Sequence, residues 1–346
     1  MPVRDLIIVG AGPSGLSAAI AAKRHDLDYH VIEQGTLVNS IYRFPPQMVF
    51  FTTPELLEVG GLPFISPYDK PTRVEALRYY RKVVDTYDLQ LTFEEEVLSI
   101  ALEIDDTDAA AHAPVFALET RSSRGVRRVR HARHVVLAIG YYDHPNLLHV
   151  PGGDLPHVHH FYGEPYPFYR KRVVIVGGGN SAAEAALELF RAGAHVTLVH
   201  RRAQLKSTIK YWVQPDIENR IKEKSIAACF SCCLVEIRPT SVMVAPLADG
   251  AATAMPGTAT ELPADAVFLL TGYRANADLM RRAGITLTER EAPVHHAETF
   301  ETNVPNLFVA GGAIAGVDTG TIFIENGRFH GEKIVEAIAE RVARSQ

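Results

Sequence analysis

The stretch DLIIVGAGPSGLSAAIAAKRHDLDYHVIEQG, residues 5–35, decides the fold. It consists of an apolar run, a glycine-rich turn, a helical stretch and a second apolar run. The same pattern returns as RVVIVGGGNSAAEAALELFRAGAHVTLVHRR at residues 172–202. A strand that enters a helix through G-x-G-x-x-G/A brings its backbone close to a pyrophosphate at the helix N-terminus. Two copies in the same register therefore predict an α/β fold with two dinucleotide-binding domains.

The two glycine turns supply the first candidate binding residues. In the first copy Gly10 makes the tight turn, Gly12 admits the phosphates and Gly15 lets the helix pack on the strand. The corresponding residues of the second copy are Gly177, Gly179 and Ala182. Their neighbours Pro13, Ser14, Asn180 and Ser181 lie at the predicted helix starts and complete the two candidate phosphate sites.

The ends of the two copies carry opposite charge. Glu33 lies 23 residues after Gly10, where a carboxylate accepts from the free 2′-hydroxyl of FAD or NAD. His200 lies 23 residues after Gly177 and is followed by Arg201 and Arg202. A guanidinium at that place can bind the 2′-phosphate of NADP, which a carboxylate would repel. The sequence thus predicts FAD in the first domain and NADPH in the second.

Composition excludes several classes of function. The 346 residues carry a net charge of −5 and are 47% hydrophobic, which is enough for two ordinary cores. No basic tract indicates a nucleic-acid partner, because the arginines of residues 121–133 fit a hairpin surface. No apolar run approaches a membrane span, and no signal peptide precedes the first strand. We expect a cytoplasmic protein with reduced cysteines.

The chain order predicts a discontinuous first domain. We expect residues 1–150 and 285–346 to form the FAD domain and residues 151–284 to form the NADPH domain. The predicted strands are 6–10, 29–33, 94–99, a meander over 100–133, 134–140, 226–237, a hairpin over 241–262, 266–272 and 307–310. The predicted helices are 14–23, 72–87 and one that begins near 321. Residues 39–64 are predicted to form a shaped wall rather than a plain core element.

Four further strings give the chain a family likeness. They are NSIYRFP at 39–45, GYYDHPN at 140–146, TGYR at 271–274 and IENGRFHG at 324–331. The layout resembles the low-molecular-weight thioredoxin reductases, and these strings are most similar to the bacillithiol disulfide reductase (bacilliredoxin reductase) family. The resemblance implies a two-dinucleotide-binding-domain flavoprotein with FAD and NADPH. It also implies a homo-oligomer, dimer or tetramer, that reduces a small-molecule disulfide or a small redox protein.

The resemblance extends the set of candidate site residues. In this layout the last helix points its N-terminus at the flavin, where its positive end would stabilise negative charge. The additional cofactor-binding candidates are Gln34, Ser40, Thr52, Val97, Ala138, Gly140, Gly272, Gly312 and Ile322. The catalytic candidates are Ser14, Tyr42, Glu325 and His330.

Two departures from the family pattern bear on the chemistry. Thioredoxin reductases carry Cys-x-x-Cys just before the second glycine turn, whereas residues 157–172 of this chain contain no cysteine. The bacillithiol-type enzymes usually carry GPCG in the first turn, whereas this chain has GPSG with Ser14. A serine hydroxyl cannot cycle through a mixed disulfide. Electrons would therefore pass directly from flavin to the acceptor, or the acceptor would differ.

Other clusters and rival functions stay open on sequence alone. Cys229, Cys232 and Cys233 are predicted to be structural residues of an apolar strand. No metal site is predicted at the grouped histidines, which are His157, His159 and His160, and His295 and His296. A flavin monooxygenase requires F-x-G-x-x-x-H, but Pro167 occupies the histidine position after Phe161. The remaining alternatives are a ferredoxin/flavodoxin–NADP reductase-like enzyme and a flavin-bound redox sensor without turnover.

Overall fold

The structure is a computed structural model that describes residues 3–104, 114–248, 254–255 and 257–345. The chain divides into two compact units. The first unit comprises Met1–His144 and Tyr273–Gln346, and the second comprises Pro145–Gly272. The first unit is thus discontinuous, as the expected FAD domain is. The chain crosses between units at 144/145 and 272/273, earlier than the expected 150/151 and 284/285.

Each of the two repeats forms a strand, a helix and a second strand, as its pattern predicts. Within the described ranges the strands are β1 Val3–Val9, β2 Tyr29–Ile32, β3 Leu91–Thr92, β4 Glu95–Ile104, β5 Pro114–Ser122, β6 Arg127–Leu137, β7 Val158–His159, β8 Arg172–Val176, β9 His195–His200, β10 Ala227–Phe230, β11 Cys232–Arg238, β12 Ser241–Pro246, β13 Thr260–Pro263, β14 Ala266–Leu269 and β15 Leu307–Val309. The α-helices are α1 Pro13–Arg24, α2 Asn39–Tyr42, α3 Arg73–Tyr87, α4 Asn180–Arg191, α5 Gln214–Lys222, α6 Ala277–Arg282, α7 Ile324–Gly327 and α8 His330–Ser345. Short 3₁₀ turns span Pro54–Leu57, Tyr166–Phe168 and Gly311–Ala315.

The sheet of the first unit combines a parallel core with an antiparallel extension. Its order is β3-β2-β1-β6-β5-β4, and β15 also pairs with β6. Strands β1, β2, β3, β15 and the second half of β6 run parallel, whereas β4, β5 and the first half of β6 form a meander. Because the carboxyl ends of parallel strands meet at one edge, β1 and β2 deliver the first glycine turn and Glu33 to the same edge.

Small residues let α1 and α8 pack closely on this sheet. The buried face of α1 includes Ala18, Ala19 and Ala22, and a Cβ at Gly331 of α8 would overlap the backbone of Ala18. Ile334 and Ile338 of α8 belong to the same fully buried cluster. The segment 39–64, expected to be a wall, also contributes buried core residues, for example Phe50 and Leu57.

Helix α3 begins where a capping box fixes it. Thr72 Oγ1 accepts from the Glu75 N–H (3.3 Å), and the Thr72 N–H donates to Glu75 Oε2 (2.8 Å). We expect Thr72→Ala to lower the free energy of unfolding by about 1 kcal/mol, because one helix-end donor loses its partner. Thr86→Ala, at an exposed position of the same helix, is the matched control and should change it by less than about 0.5 kcal/mol. Urea unfolding followed by circular dichroism measures both, and equal midpoints would contradict the assignment.

The second unit has its own parallel sheet. Its order is β10-β9-β8-β14-β7, and all of these pairings are parallel. Helix α4 packs on this sheet through Ala182, Ala186 and Leu189, which belong to one buried cluster. A separate antiparallel sheet, β11-β12-β13, covers the other side through Leu234 and Val242. The predicted hairpin over 241–262 corresponds to β12 and β13, although residues 249–253 and 256 lie outside the described residues.

Three predicted elements differ from the observed ones. The strand predicted over 226–237 is two strands in different sheets, because Ser231 adopts a left-handed conformation (φ 49°) between β10 and β11. The strand predicted over 134–140 is the second half of β6, which begins at Arg127 and ends at Leu137. The helix predicted from about 321 is the short α7 followed by α8, which starts only at His330. Part of the meander predicted over 100–133, residues 105–113, lies outside the described residues.

Candidate functional site

The first glycine turn leaves open space above a helix N-terminus. Gly10 has φ +107°, and a Cβ there would overlap the Ala138 carbonyl, so only glycine fits. At Gly12, in contrast, a Cβ would meet nothing within 4 Å. Helix α1 begins at Pro13, and no side chain caps it. Backbone N–H groups facing an open space at a helix N-terminus fit the pyrophosphate of a dinucleotide.

Glu33 lies beside this turn and is held by backbone donors. The carboxylate is buried; Oε2 accepts from the Ala11 N–H (2.8 Å) and Oε1 from the Gly35 N–H (2.8 Å). Burial raises the pKa of Glu33, and these two backbone hydrogen bonds oppose that effect. Each oxygen keeps lone-pair capacity for a further donor. The residues present thus fit a ribose whose hydroxyls donate to Glu33.

Asp143 organises the segment that follows Glu33. It accepts from Gln34 Nε2 (2.9 Å) at one oxygen and from Arg43 Nη1 (2.6 Å) and Asn39 Nδ2 (3.4 Å) at the other. The side chain of Gln34, predicted to bind the cofactor, is therefore directed to Asp143. The GYYDHPN string on its own predicts no role for its aspartate. Its only signal was a carboxylate directly after a predicted sheet edge.

Ser14 links the first turn to the C-terminal part of the unit. Its hydroxyl donates to the Gly327 carbonyl of α7 (3.0 Å), and a Cβ at Gly311 would overlap Ser14 Oγ. Ile322 lies on the same side, with its Cγ2 3.5 Å from a Cβ built at Gly327. The structure thus brings Ser14 together with Ile322 and with the turn that precedes Gly312. The hydroxyl proton is engaged in this link.

The other catalytic candidates have different surroundings. His330 is buried; its Nδ1 accepts from the Gly311 N–H (3.1 Å), and its ring stacks on Phe300 at 4.2 Å. Burial lowers the pKa of His330 to about 4, so the ring is neutral near pH 7. Tyr42 is exposed, with the Arg73 guanidinium 5.5 Å from its ring centroid. Glu325 is half-buried on α7. The arrangement makes His330 a support of the Gly311 turn.

The remaining flavin candidates fall into two groups. Thr52, Val97 and Ala138 are buried in the first unit. Ser40 Oγ lies 4.0 Å from a Cβ built at Gly140, which has φ +62°. The ring of Tyr141 lies against Gly312, and burial raises the pKa of its hydroxyl. Tyr141 was not among the predicted site residues, since an aromatic residue after a strand is typical of core packing.

The second glycine turn repeats the geometry of the first. A Cβ at Gly177 would overlap the Leu270 carbonyl and lie 3.0 Å from the Ala182 Cβ, which explains the close approach of strand and helix. Gly179 precedes α4, which no side chain caps. Asn180 accepts from the Lys210 N–H (2.8 Å) and donates to the Thr208 carbonyl (3.2 Å). Asn180 therefore holds the loop after β9 in place, while Ser181 is exposed.

His200 lies directly on this turn. A Cβ at Gly178 would overlap its ring, and its buried Nε2 has no hydrogen-bond partner among the described residues. Burial and the nearby Arg202 lower the pKa of His200. A buried, unpaired ring nitrogen is costly unless a partner reaches it. This orphaned atom at the turn is consistent with a nucleotide donor or acceptor at that place.

Three basic side chains surround the same end of β9. Arg201, Arg202 and Lys206 are exposed, and none of them forms an ion pair within the described part of the chain. The Lys206 N–H donates to the Gly178 carbonyl (2.9 Å), which returns the loop to the glycine turn. Sequence reasoning missed Lys206, whose only signal was a basic residue shortly after the pair. Three unpaired cations beside a phosphate-type turn fit the 2′-phosphate of NADPH.

Gly272 marks the end of the second unit. It has φ +98°, and its carbonyl accepts from the Asn146 N–H (2.9 Å). Thr271 Oγ1 donates to the Asn146 carbonyl (2.6 Å), so the two ends of the second unit are joined to each other. These bonds give Gly272 a structural function, and its predicted cofactor contact stays a prediction.

The cysteines and the grouped histidines lie in ordinary packing surroundings. Cys229, Cys232 and Cys233 are free, half-buried thiols whose pKa values burial raises. His159 stacks on Phe268 at 4.9 Å, and His296 Nδ1 accepts from backbone N–H groups. Across the ranges that the structure describes, no group of three or more His, Cys, Asp or Glu side chains could hold a metal ion. In the same ranges no helix is long and apolar enough to cross a bilayer.

Comparisons with known proteins show the family to which the chain belongs. The family model for pyridine nucleotide-disulphide oxidoreductases matches residues 7–311. Bacilliredoxin reductase Bdr of Bacillus subtilis (strain 168) is 38% identical over 336 residues, 97% of each chain. Bacillithiol Disulfide Reductase Bdr (YpdA) from Bacillus cereus has a TM-score of 0.90 at 35% identity and covers 98% of this chain and all of its own. The Staphylococcus aureus protein of the same title has a TM-score of 0.88 at 36% identity, with 100% of both chains covered.

Proposed function

Because the chain belongs to the pyridine nucleotide-disulphide oxidoreductase family, and within it to the bacilliredoxin reductases, we propose that it reduces a low-molecular-weight thiol disulfide, or the mixed disulfide of such a thiol with a bacilliredoxin. The chain is an FAD- and NADPH-dependent oxidoreductase. In the proposed reaction NADPH, a proton and one disulfide give NADP⁺ and two thiols. Bound FAD would accept the hydride and pass its electron pair to the disulfide.

The observation that carries the proposal is the opposite charge of the residues that follow β2 and β9. Glu33 presents a carboxylate to a ribose, which suits FAD and repels a 2′-phosphate. Arg201, Arg202 and Lys206 present positive charge that no carboxylate of the described residues pairs with, which suits NADPH. Two cofactors of different charge can therefore occupy the two turns without exchanging places.

The remaining residues bind and orient rather than react. We assign the turns at Gly10 and Gly177 to the two pyrophosphates, and His330 to the support of the Gly311 turn. Ser14 ties the first turn to α7 and carries no electrons, because a hydroxyl forms no disulfide. Electrons then pass to the acceptor without a protein thiol at position 14. In this respect the proposed reaction differs from one in which a cysteine of that turn carries the electrons first.

Turnover with different acceptors tests the proposed function. The purified protein with bound FAD is mixed with NADPH and, in separate reactions, bacillithiol disulfide, a bacilliredoxin mixed disulfide, ferredoxin or oxygen alone. We expect one of the two disulfides to raise NADPH consumption at least about tenfold above the oxygen background. Equal rates with and without every disulfide would refute the proposal, and a rise with ferredoxin only would favour a ferredoxin–NADP reductase.

Alkylation tests the absence of a thiol relay. We expect iodoacetamide, applied to the NADPH-reduced protein, to leave the disulfide-dependent rate within about twofold. Its three thiols lie in strands where burial raises their pKa values, which keeps them protonated and slow to react. Loss of the rate would show that Cys229, Cys232 or Cys233 carries electrons. The Ser14→Cys variant, treated identically, shows whether a thiol in the first turn makes the rate sensitive to the reagent.

The same proposal includes location and assembly. Three free cysteines and a disulfide-reducing activity suit a reducing cytoplasm. A homodimer or homotetramer is proposed from the family resemblance. Sedimentation of the FAD-loaded protein measures the assembly directly.

A further inference from the structure

One surface of the first unit exposes aromatic side chains around α7. We define the α7 face as Phe51, Leu56, Phe323 and Phe329, all of which are exposed. Phe323 directly precedes α7, and Phe329 follows it two residues after its end. The Phe51 and Phe323 rings meet edge to face at 5.5 Å. Exposed apolar clusters of this kind mark sites of protein–protein interaction.

Arg328 joins the parts of this face into one surface. Its Nη1 donates to the carbonyls of Glu55 and Glu58, both at 2.7 Å, and so holds the 3₁₀ turn that carries Leu56. Its guanidinium lies 4.6 Å from the centroid of the Phe329 ring. These contacts hold the 3₁₀ turn and the Phe329 ring against Arg328, which lowers the entropy cost of ordering them on association.

The α7 face is linked to the first glycine turn. The carbonyl of Gly327, the last residue of α7, accepts the Ser14 hydroxyl from inside the unit. Phe323 and Phe329 lie on either side of the same helix. A small disulfide needs contact only with the reacting groups, whereas apolar side chains from two separate segments, 51–56 and 323–329, suit a larger apolar partner.

From this arrangement we propose that the α7 face docks a small disulfide-bearing redox protein during electron transfer. The inference rests on the proposed function, of which it names the protein acceptor's binding surface. The two segments that form the face, residues 51–58 and 323–329, carry three carboxylates, of Glu55, Glu58 and Glu325, against the single positive charge of Arg328. The partner therefore presents an apolar patch around its disulfide with basic side chains at the rim.

A pair of matched variants tests the docking surface. Phe323→Ala removes a ring that is 40% exposed on the α7 face, and Phe93→Ala removes one that is 42% exposed elsewhere on the first unit. We expect Phe323→Ala to lower kcat/KM for a bacilliredoxin mixed disulfide about tenfold, as for a central aromatic contact. The same variant should leave kcat/KM for bacillithiol disulfide within about twofold. Phe93→Ala should change neither, and Phe329→Ala should reproduce the selective loss if Phe323→Ala folds poorly.

Direct binding keeps the docking proposal separate from the proposed function. Titration of fluorescently labelled bacilliredoxin into the FAD-loaded protein should give a Kd that rises about tenfold in Phe323→Ala, whether or not turnover occurs. The affinity should weaken with salt, because the rim contacts are exposed. An unchanged Kd, or an equal loss of rate with both disulfides, overturns the docking proposal. It is also overturned if sedimentation shows that Phe323→Ala dissociates an oligomer, because a second copy would then cover the face.

Discussion

Replacing Arg201 and Arg202 together by alanine is expected to raise KM for NADPH roughly hundredfold and to leave KM for NADH within about twofold. A hydrogen bond to a charged group contributes about 1.5–3 kcal/mol, and two such bonds to a 2′-phosphate account for a factor of this size. NADH carries a hydroxyl at that position and makes no such contact. The selectivity between the two nucleotides should therefore collapse while the maximal rate with NADPH stays close to its original value.

The exposure of these arginines supplies a second signature. Because no carboxylate pairs with them in the described residues, their charge acts on the nucleotide without competition. KM for NADPH in the unmodified protein should rise with ionic strength, and this dependence should weaken in the double variant. Lys206→Ala should add a smaller loss in the same direction.

A control with the same change in net charge isolates the local effect. Lys171 and Lys222 are exposed on the second unit. Their replacement by alanine removes two positive charges away from the glycine turn. KM for NADPH should then stay within about twofold. The assignment of the 2′-phosphate to Arg201 and Arg202 is wrong if the lysine control raises KM for NADPH as much as replacement of the arginine pair does. It is also wrong if replacement of the arginine pair raises KM for NADH equally.

The glycine turns were predictable because their requirements are local. A turn at Gly10 that passes close to the Ala138 carbonyl needs glycine for steric reasons that the sequence pattern already encodes. The charges at Glu33 and at the arginine pair follow from their distance to the turn. For these parts of the site, the chain neighbours determine both the position and the chemistry.

The parts that sequence reasoning missed depend on contacts between distant segments. Asp143 accepts a hydrogen bond from Arg43, which lies 100 residues earlier in the chain. Lys206 lies at the second turn only because its loop folds back onto Gly178. The role of His330 depends on the Gly311 N–H, which α8 meets through tertiary packing. No periodicity along the chain reports such contacts. On sequence alone, a titratable residue in a motif, such as His330, is therefore a catalytic candidate.

The split of the strand predicted over 226–237 has a different cause. Apolar residues continue across it, which predicts one strand, but Ser231 takes a left-handed conformation that serine seldom adopts. Its N–H donates to the Arg202 carbonyl (3.0 Å), and its carbonyl accepts from the Leu247 N–H (2.8 Å). Two tertiary hydrogen bonds thus stabilise a turn that local preference disfavours.

Glu33→Gln is expected to raise the Kd for FAD about hundredfold. The carboxylate offers a charged acceptor at both oxygens, whereas an amide offers one neutral acceptor, which removes about 3 kcal/mol of hydrogen bonding to ribose hydroxyls. The substitution also disturbs the apoprotein. An amide has one oxygen for the two N–H donors of Ala11 and Gly35, so its NH₂ group must face one of them. We expect the apoprotein to lose about 1–3 kcal/mol of stability as well.

The pH dependence of FAD binding distinguishes the charge of Glu33 from its shape. Burial raises the pKa of Glu33 in the free protein, and ribose donors would favour its charged form and lower that pKa in the complex. FAD must then displace a proton when the pH is below the raised pKa. Affinity for FAD should fall as the pH decreases through that value and stay constant above it. In Glu33→Gln, fluorescence titration of FAD should show no such decline between the same pH values.

An exposed neighbour provides the control for this substitution. Glu94 follows β3 and is exposed, so Glu94→Gln makes the same chemical change without touching the turn. Its Kd for FAD and its pH dependence should match those of the unmodified protein. If Glu33→Gln and Glu94→Gln bound FAD with equal affinity, the proposed contact between Glu33 and the ribose would be wrong. The opposite charges of the two strand ends would then no longer explain why FAD and NADPH bind to different turns.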